Sequence, residues 1–263
     1  MRVPRLVTFL VVFALSVLAS AAQQAPTASS TQAIQLMQRA LLGLSRGSPP
    51  TDITLTGTAR RIAGSDDETG QAVLIATAAD SRIDLNLPSG KRSEIRTNTN
   101  ANPSGTWSDS DGVAHAIANH NLYSEAAWFS PHFALARGLS TSGYLVSYIG
   151  KETKDSQSVE HLTVSQQSSG PENVRSLVQH LSHADLYLDS TTFLPVAMTF
   201  SIHPDDNALL DIPIEIRFAD YRSVNGVQVP FHVQKFLNNG LILDLQFQTV
   251  TFNTGLTASS FSF

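Results

Sequence analysis

The sequence predicts an α+β fold built on antiparallel strands. Segments in which apolar and polar residues alternate follow one another at short spacing, and we count roughly ten to eleven of them. Three helical segments interrupt these strands. Several strands separate one helix from the next, whereas a parallel α/β sheet alternates helices and strands one for one. No G-x-G-x-x-G sequence follows a strand, which further argues against a Rossmann-type sheet.

The composition limits the classes of function. The chain has 22 acidic and 17 basic residues and a net charge of −5. No basic patch appears in the sequence, so the electrostatic footprint that nucleic-acid binding requires is missing. The chain also contains no cysteine, which excludes disulfides and thiolate metal ligands.

The N-terminus has the pattern of an export signal. Two arginines precede an apolar run over residues 6–19, and small residues follow. The run is shorter than the ~20 residues that a membrane-spanning helix needs. We therefore predict a signal peptide over residues 1–22, with cleavage near Ala21 or Ala22. The expected location is periplasmic or secreted, and a retained membrane anchor is the alternative.

A lead-in and a helix follow the predicted signal peptide. Residues 23–30 are rich in proline, threonine and serine, and we expect them to be disordered. The next segment, "TQAIQLMQRALLGL", has the period of an amphipathic helix. Ser30 or Thr31 is its expected N-cap, and Gly43 and Gly47 are expected to end it.

Strand patterns begin after this helix. The first four are "DITLTGTARRI", "QAVLIATA", "SRIDLNL" and "KRSEIRT". The acidic stretch "GSDDETG" between the first two is expected to be a turn. The segment "GTWSDSDGVAHAIA" then predicts a hairpin with its tip over residues 109–112.

Residues 119–139 break the strand pattern. They are rich in aromatic residues and lack alternation, which predicts two short helices hinged before Pro131. A hairpin, a short amphipathic helix over residues 171–183 and a run of strands and tight turns follow. One of these turns is the Asn-Gly pair at 225–226. Because no shift in composition divides the chain, we predict one domain over residues 31–263.

The patterns that could indicate catalysis or metal binding are incomplete. The sequence "GLSRG" at residues 43–47 matches a nucleophile elbow by letters, but a helix precedes it, whereas the elbow requires a strand before the serine. His180 and His183 could face one ligand, yet a zinc site needs a third ligand and a second shell. The sequence "DSDG" at 109–112 lacks the glutamate that completes a calcium loop. We therefore predict no catalytic residue, no metal ion and no cofactor.

Apolar residues outside the strands predict a hydrophobic cavity. A sheet that curves without closing exposes its concave face, and apolar helices can cover that face. Loosely packed helices leave a dry space for an acyl chain, whereas tight packing completes a solid core. The sequence leaves both outcomes open. The candidate cavity residues are Ile34, Met37, Leu41, Leu122, Trp128, Phe129, Phe133 and Leu139.

The C-terminal third resembles a known superfamily. In "LYLDSTTFLPVAMTFSIH" an apolar strand ends in Asp, and a Leu-Pro turn leads to a second apolar strand. In "IEIRFADYRSVNGVQVPFHVQKF" an Asp-Tyr strand end leads through a glycine turn to a Val-Pro strand. Both segments resemble periplasmic lipoprotein carriers of the LolA/LolB-like superfamily, over about residues 184–252.

The resemblance implies a LolA-like fold, that is, a strongly curved antiparallel sheet forming an incomplete β-barrel, with short helices covering the concave face. It also implies a carrier or sensor and not an enzyme. No ligand-binding residue is carried over from the superfamily. The chain has no lipoprotein cysteine after the signal, which distinguishes it from the membrane-anchored receptor type.

The sequence therefore predicts an exported binding or carrier protein that shelters lipid or lipoprotein acyl chains in an apolar cavity. The expected partners are these chains and an envelope protein, with only peripheral membrane contact and no nucleic acid. Two alternatives stay open. One is an envelope sensor or protein-interaction module with a filled core, and the other is an exported hydrolase whose site the sequence does not reveal.

Overall fold

The computed structural model describes residues 29–46, 48–99, 102–140 and 143–263. The predicted signal peptide and most of the predicted lead-in, up to residue 28, lie outside the described residues. Within these ranges, no helix combines the length and the apolar character that crossing a bilayer would require.

Thirteen strands form one antiparallel sheet over the described residues. The strands are β1 (Asp52–Ala63), β2 (Asp66–Thr77), β3 (Ser81–Leu87), β4 (Gly90–Thr99), β5 (Asn102–Ser108), β6 (Ala114–Ala116), β7 (Tyr144–Lys154), β8 (Gln157–Gln166), β9 (Ala184–Asp189), β10 (Pro195–Ile202), β11 (Ile212–Val224), β12 (Val227–Leu237) and β13 (Gly240–Phe252).

The strand order leaves the sheet open. It runs β6-β5-β4-β3-β2-β1-β13-β12-β11-β10-β9-β8-β7, so that β6 and β7 form the two edges. Strands that follow one another in the chain are neighbours, except that β1 pairs with β13 and the chain crosses from β6 to the opposite edge at β7. This topology confirms the predicted antiparallel α+β fold.

The sheet is strongly curved, as predicted. In the strand order β5 and β12 stand six positions apart, which would separate them by about 29 Å in a flat sheet with ~4.8 Å between strands. Trp107 on β5 and Lys235 on β12 nevertheless line one cavity of about 270 Å³. The sheet must therefore bend around this space to form an incomplete barrel.

Among the described residues, three α-helices accompany the sheet: α1 (Thr31–Ser45), α2 (Pro131–Gly138) and α3 (Glu172–Leu181). Helix α1 contacts α2, β7 and β12. A 3₁₀ turn over Asn119–Tyr123 precedes α2, so the two predicted helical segments around Pro131 are both present. We call the part of the concave face beneath α1 and α2 the helix-covered half.

Helix α1 forms where its amphipathic pattern predicts it. Ser30 is the N-cap, and its Oγ accepts a 3.0 Å hydrogen bond from the amide of Ala33. Met37 and Leu44 are completely buried on the inner face of the helix. At Gly138 on α2, an added Cβ would lie 2.5 Å from the Met37 Cε. Glycine therefore permits the close contact between the two helices.

Three local predictions need correction. The C-cap of α1 is Arg46, in the left-handed conformation with φ 54°; Gly43 lies inside the helix, and Gly47 lies outside the described residues. The acidic stretch expected to be a turn belongs to β2 from Asp66 onward, because Asp67 is paired with Arg60 across the strands. The described residues form thirteen strands instead of the expected ten to eleven.

The tight turns follow the sequence signals. The Asn225-Gly226 pair joins β11 to β12 with φ of 50° and 82°, the positive values that a two-residue hairpin turn needs. Asn238 and Asn239 likewise have positive φ between β12 and β13. These turns confirm the predicted run of antiparallel strands.

Candidate ligand-binding groove

The eight predicted cavity residues differ in burial: two are half-buried, one packs against the hydrophobic core, and five belong to the core. Ile34 is half-buried on α1, and Leu122 is half-buried beside a polar cleft. Leu139 packs against the hydrophobic core. The members of the core itself are Met37, Leu41, Trp128, Phe129 and Phe133. Trp128 also reaches an open groove.

The groove lies on the concave face and consists of two adjoining cavities of about 270 and 480 Å³. The two cavities share Arg61, Leu85, Lys235 and Leu243. Side chains from β1, β3, β12 and β13 build most of the wall. Its main apolar members are Ile83, Leu85, Trp128, Leu237, Leu241 and Leu243.

Two cations stand within this apolar wall. Arg61 pairs with Leu243 across β1 and β13, and Leu243 pairs with Lys235 across β13 and β12. Residues that are directly paired on antiparallel strands share one face of the sheet. Arg61 also lies two residues from the completely buried Ala59, so this face is the concave one.

Other charged residues in the groove are already paired. The Glu94 carboxylate lies 2.7 Å from Arg96 Nε, and Arg92 forms an ion pair with Asp109. Burial alone would raise the pKa of Glu94, but the nearby cations Arg96 and Lys235 hold that pKa below its usual value. Glu94 is therefore an ionised carboxylate that Arg96 neutralises by direct contact.

Arg61 and Lys235 have no ion pair among the described residues. The Arg61 Nη1 atom is buried without a hydrogen-bond partner in this part of the chain. The Lys235 Nζ atom lies 4.6 Å from the centre of the Trp128 ring, a cation–π contact. Burial lowers the pKa of Lys235, and the charge of Glu94 only partly offsets this effect.

The outer face shows the opposite arrangement. Arg60, the neighbour of Arg61 in the chain, faces away from the groove and donates two hydrogen bonds to Asp67, at 2.8 and 2.6 Å. Consecutive residues of a strand point to opposite faces. One arginine is thus fully paired on the outer face, while the next enters the groove without an ion-pair partner among the residues that the structure describes.

Sequence reasoning missed Arg61 and Lys235 as site residues. The alternation in "DITLTGTARRI" was sufficient to place Arg61 on the same face as Leu55 and Ala59. It could not show which part of that face the helices leave uncovered. That depends on the curvature of the sheet and on where α1 and α2 pack.

The fold does not turn the possible nucleophile elbow at residues 43–47 or the histidine pair at 180 and 183 into the sites that their sequences suggested. Ser45 lies in the last turn of α1, and its Oγ donates a hydrogen bond to the Leu41 carbonyl, so it does not stand on a strand-to-helix turn. The two histidines of the 180–183 pair do not face one ligand. His183 Nε2 lies near Asp185, whereas His180 Nε2 lies near Asp211.

Comparison with known proteins identifies similar folds but no similar sequence. No protein-family model matches the chain, and no curated protein sequence matches it. Solved structures, in contrast, match along most of its length.

Three solved structures illustrate the fold. An outer membrane lipoprotein-sorting protein domain from Vibrio parahaemolyticus is 13% identical, with a TM-score of 0.53, and the match covers 88% of this chain and 96% of that one. A LolA superfamily protein from Nitrosomonas europaea is 11% identical, with a TM-score of 0.55 and coverages of 88% and 97%. A DUF1329 family protein from Desulfovibrio piger is 11% identical, with a TM-score of 0.56 and coverages of 90% and 98%. The chain has a LolA-like fold.

Proposed function

We propose that this LolA-like fold serves as an exported binding or carrier protein that shelters acyl chains of a lipid or lipoprotein in the groove. One observation carries the proposal: an apolar groove on the concave face contains two cations, Arg61 and Lys235, without a paired anion among the described residues. Export rests on the sequence pattern of residues 1–22. We also propose that residues 31–263 form a single domain.

The apolar wall suits a hydrocarbon chain. The larger cavity, about 480 Å³, falls within the ~300–1,000 Å³ typical of small-molecule sites. Each methylene group removed from water contributes about 0.8 kcal/mol, so one chain along Leu237, Leu241 and Leu243 supplies a large favourable term. The lipoprotein-sorting description of the Vibrio parahaemolyticus domain supports acyl chains as the class of ligand.

The two cations add a requirement for charge. A cation held in an apolar wall without an anion is unfavourable, and a ligand that supplies the anion removes this cost. A carboxylate or phosphate accepts charge-assisted hydrogen bonds from Arg and Lys, which are stronger than neutral ones. The proposed ligand is therefore an amphiphile with an anionic head group.

Competition binding tests the proposal. A fluorescent fatty acid is titrated with the purified protein and displaced by an unlabelled fatty acid or by the fatty alcohol of equal chain length. We expect the acid to bind about tenfold more tightly than the alcohol, as one charged hydrogen bond would give. The Arg61→Gln variant, which keeps Lys235, should weaken this preference, and the matched control Arg60→Gln should leave it unchanged.

Three outcomes would overturn the proposal. Absence of fatty-acid uptake would favour the envelope sensor or interaction module with a filled core. Equal binding of acid and alcohol by the wild type, or equal effects of Arg60→Gln and Arg61→Gln, would show that the groove cations do not select the ligand.

A further inference from the structure

A second candidate site, which is polar, lies on the outer face of the sheet. Asp185 and Thr199 are each one residue from the buried Leu186 and Met198, so they face away from the groove. They line an outer cleft of about 530 Å³. Its rim carries His180 from the last turn of α3 and Asp211 from the segment just before β11.

His180, His203 and Asp211 converge at this cleft, and we call them the His-Asp cluster. His203 and Asp211 are the two ends of the loop between β10 and β11, next to the paired residues Ile202 and Ile212, and His180 comes to them from α3. One ligand atom from each of the three residues lies within 4.8 Å of the others. His203 Nε2 is 3.0 Å and His180 Nε2 is 3.4 Å from the same Asp211 Oδ1 atom.

These separations fit a bound metal ion. With bonds of about 2.0–2.2 Å from zinc to nitrogen or oxygen, a tetrahedral site places its ligand atoms about 3.3 Å apart. The two distances to Asp211 Oδ1 lie on either side of this value. The rings of His180 and His203 are tilted by 53° with centroids 5.4 Å apart, so they approach the carboxylate from different directions.

Hydrogen bonding within the cluster is incomplete. Asp211 Oδ1 accepts a hydrogen bond from His203 Nε2. The His180 Nε2 atom lies 3.4 Å from the same oxygen, but it is buried without a hydrogen-bond partner in the described part of the chain. A cation among the three atoms would use the lone pairs of both imidazoles and the charge of the carboxylate at once.

The surroundings hold the cluster in place. The His203 side chain is only 1% exposed. Asn121 binds its backbone twice, because the Asn121 Oδ1 accepts from the His203 amide and the Asn121 Nδ2 donates to the His203 carbonyl, both at 2.8 Å. Asp211, with 52% of its side chain exposed, is free to adjust to an ion.

We propose that His180, His203 and Asp211 form a binding site for a divalent transition-metal ion, with a fourth position open to the outer cleft. Two imidazoles and one carboxylate are a donor set suited to zinc and related ions. His183 does not belong to the site, because its Nε2 lies near Asp185, which also accepts a 2.8 Å hydrogen bond from His161. This proposal is independent of the groove and its ligand.

The expected affinity is moderate. Histidines that bind metals tightly usually donate their other ring nitrogen to a second partner, and losing that partner costs about 10–100-fold in affinity. The His203 Nδ1 atom is buried without such a partner among the described residues. We therefore expect a Kd for zinc of about 1–10 µM, weaker than that of a structural zinc site.

Zinc titration of the untagged protein by calorimetry tests the site. The wild type should bind one Zn²⁺ per chain, and zinc should raise its Tm by a few degrees. His180→Gln and Asp211→Asn should each weaken binding by at least about tenfold. Both side chains are partly exposed, so these variants are expected to fold.

His183→Gln is the matched control, since it removes an exposed histidine three residues from His180 and should leave zinc binding unchanged. The proposal would be overturned if the wild type binds zinc no more tightly than about 1 mM, or if His180→Gln binds as the wild type does. It would equally be overturned if His183→Gln weakens binding as much as His180→Gln, because the ion would then lie near Asp185.

Discussion

The helix-covered half and the groove belong to the same concave face but are filled in different ways. In the helix-covered half, Met37 and Leu135 are 0% exposed and Phe133 is 2% exposed. In the groove, the apolar wall includes the half-buried Leu241. Lys235, which has no ion pair in the described part of the chain, stands among its side chains. One half is a dry packed core, whereas the other is open space lined by leucines and two cations.

This difference implies that separate parts of the concave face determine stability and ligand binding. A curved sheet must bury most of its inner face, and α1 and α2 do so by close packing at native density. Where the helices end, the same face can accept a guest without disturbing the core. Core substitutions should therefore change the free energy of unfolding, and groove substitutions should change affinity.

The largest expected effect is on the free energy of unfolding, in a matched pair of leucine-to-alanine substitutions. Leu135→Ala removes a completely buried side chain and should lower the free energy of unfolding by about 3–5 kcal/mol, because a cavity remains. Leu241→Ala removes a side chain from the groove wall and should cost less than about 1.5 kcal/mol. Chemical denaturation measures both values, and equal losses would contradict the division between core and groove.

The pH dependence of stability sharpens the same comparison. His132 lies in the helix-covered half with no exposed surface, and burial lowers the pKa of its imidazole from 6.5 to about 4. The unfolded chain therefore binds more protons than the folded chain between these two pH values. The free energy of unfolding should fall as the pH falls from 6.5 to 4, by roughly 3 kcal/mol from this residue.

Denaturation at several pH values, with His132→Gln as the comparison, isolates this contribution. The variant should have a lower stability at neutral pH and a shallower decline toward pH 4. If wild type and variant decline in parallel, then His132 is not held neutral by a dry core, and the contrast with the open groove loses its support.

The sequence predicted local features correctly where residues close together in the chain determine the conformation. The Ser30 cap, the inner face of α1 and the Asn225-Gly226 turn follow from short-range chemistry. The C-terminal strand pattern was sufficient to identify the LolA-like fold by resemblance. The acidic start of β2 was not predicted, because Asp67 is stabilised there by Arg60 on the neighbouring strand.

The two sites depend on contacts that a linear pattern does not contain. Curvature brings β5 and β12 to one cavity, and only then do Arg61 and Lys235 become neighbours of Trp128. Likewise, the sequence pattern associated His180 with His183. The fold instead brings His180, in the last turn of α3, close to His203 and Asp211 at the two ends of the β10–β11 loop.

The most direct test of the groove uses the only two tryptophans of the chain. Trp107 and Trp128 both line the smaller cavity of the groove. A fatty acid that carries bromine on its chain quenches tryptophan emission on contact, and native mass spectrometry measures its occupancy independently. We predict that emission falls in proportion to occupancy and that Trp107→Phe still shows quenching through Trp128. Full occupancy with unchanged emission would place the ligand elsewhere and contradict the proposed groove.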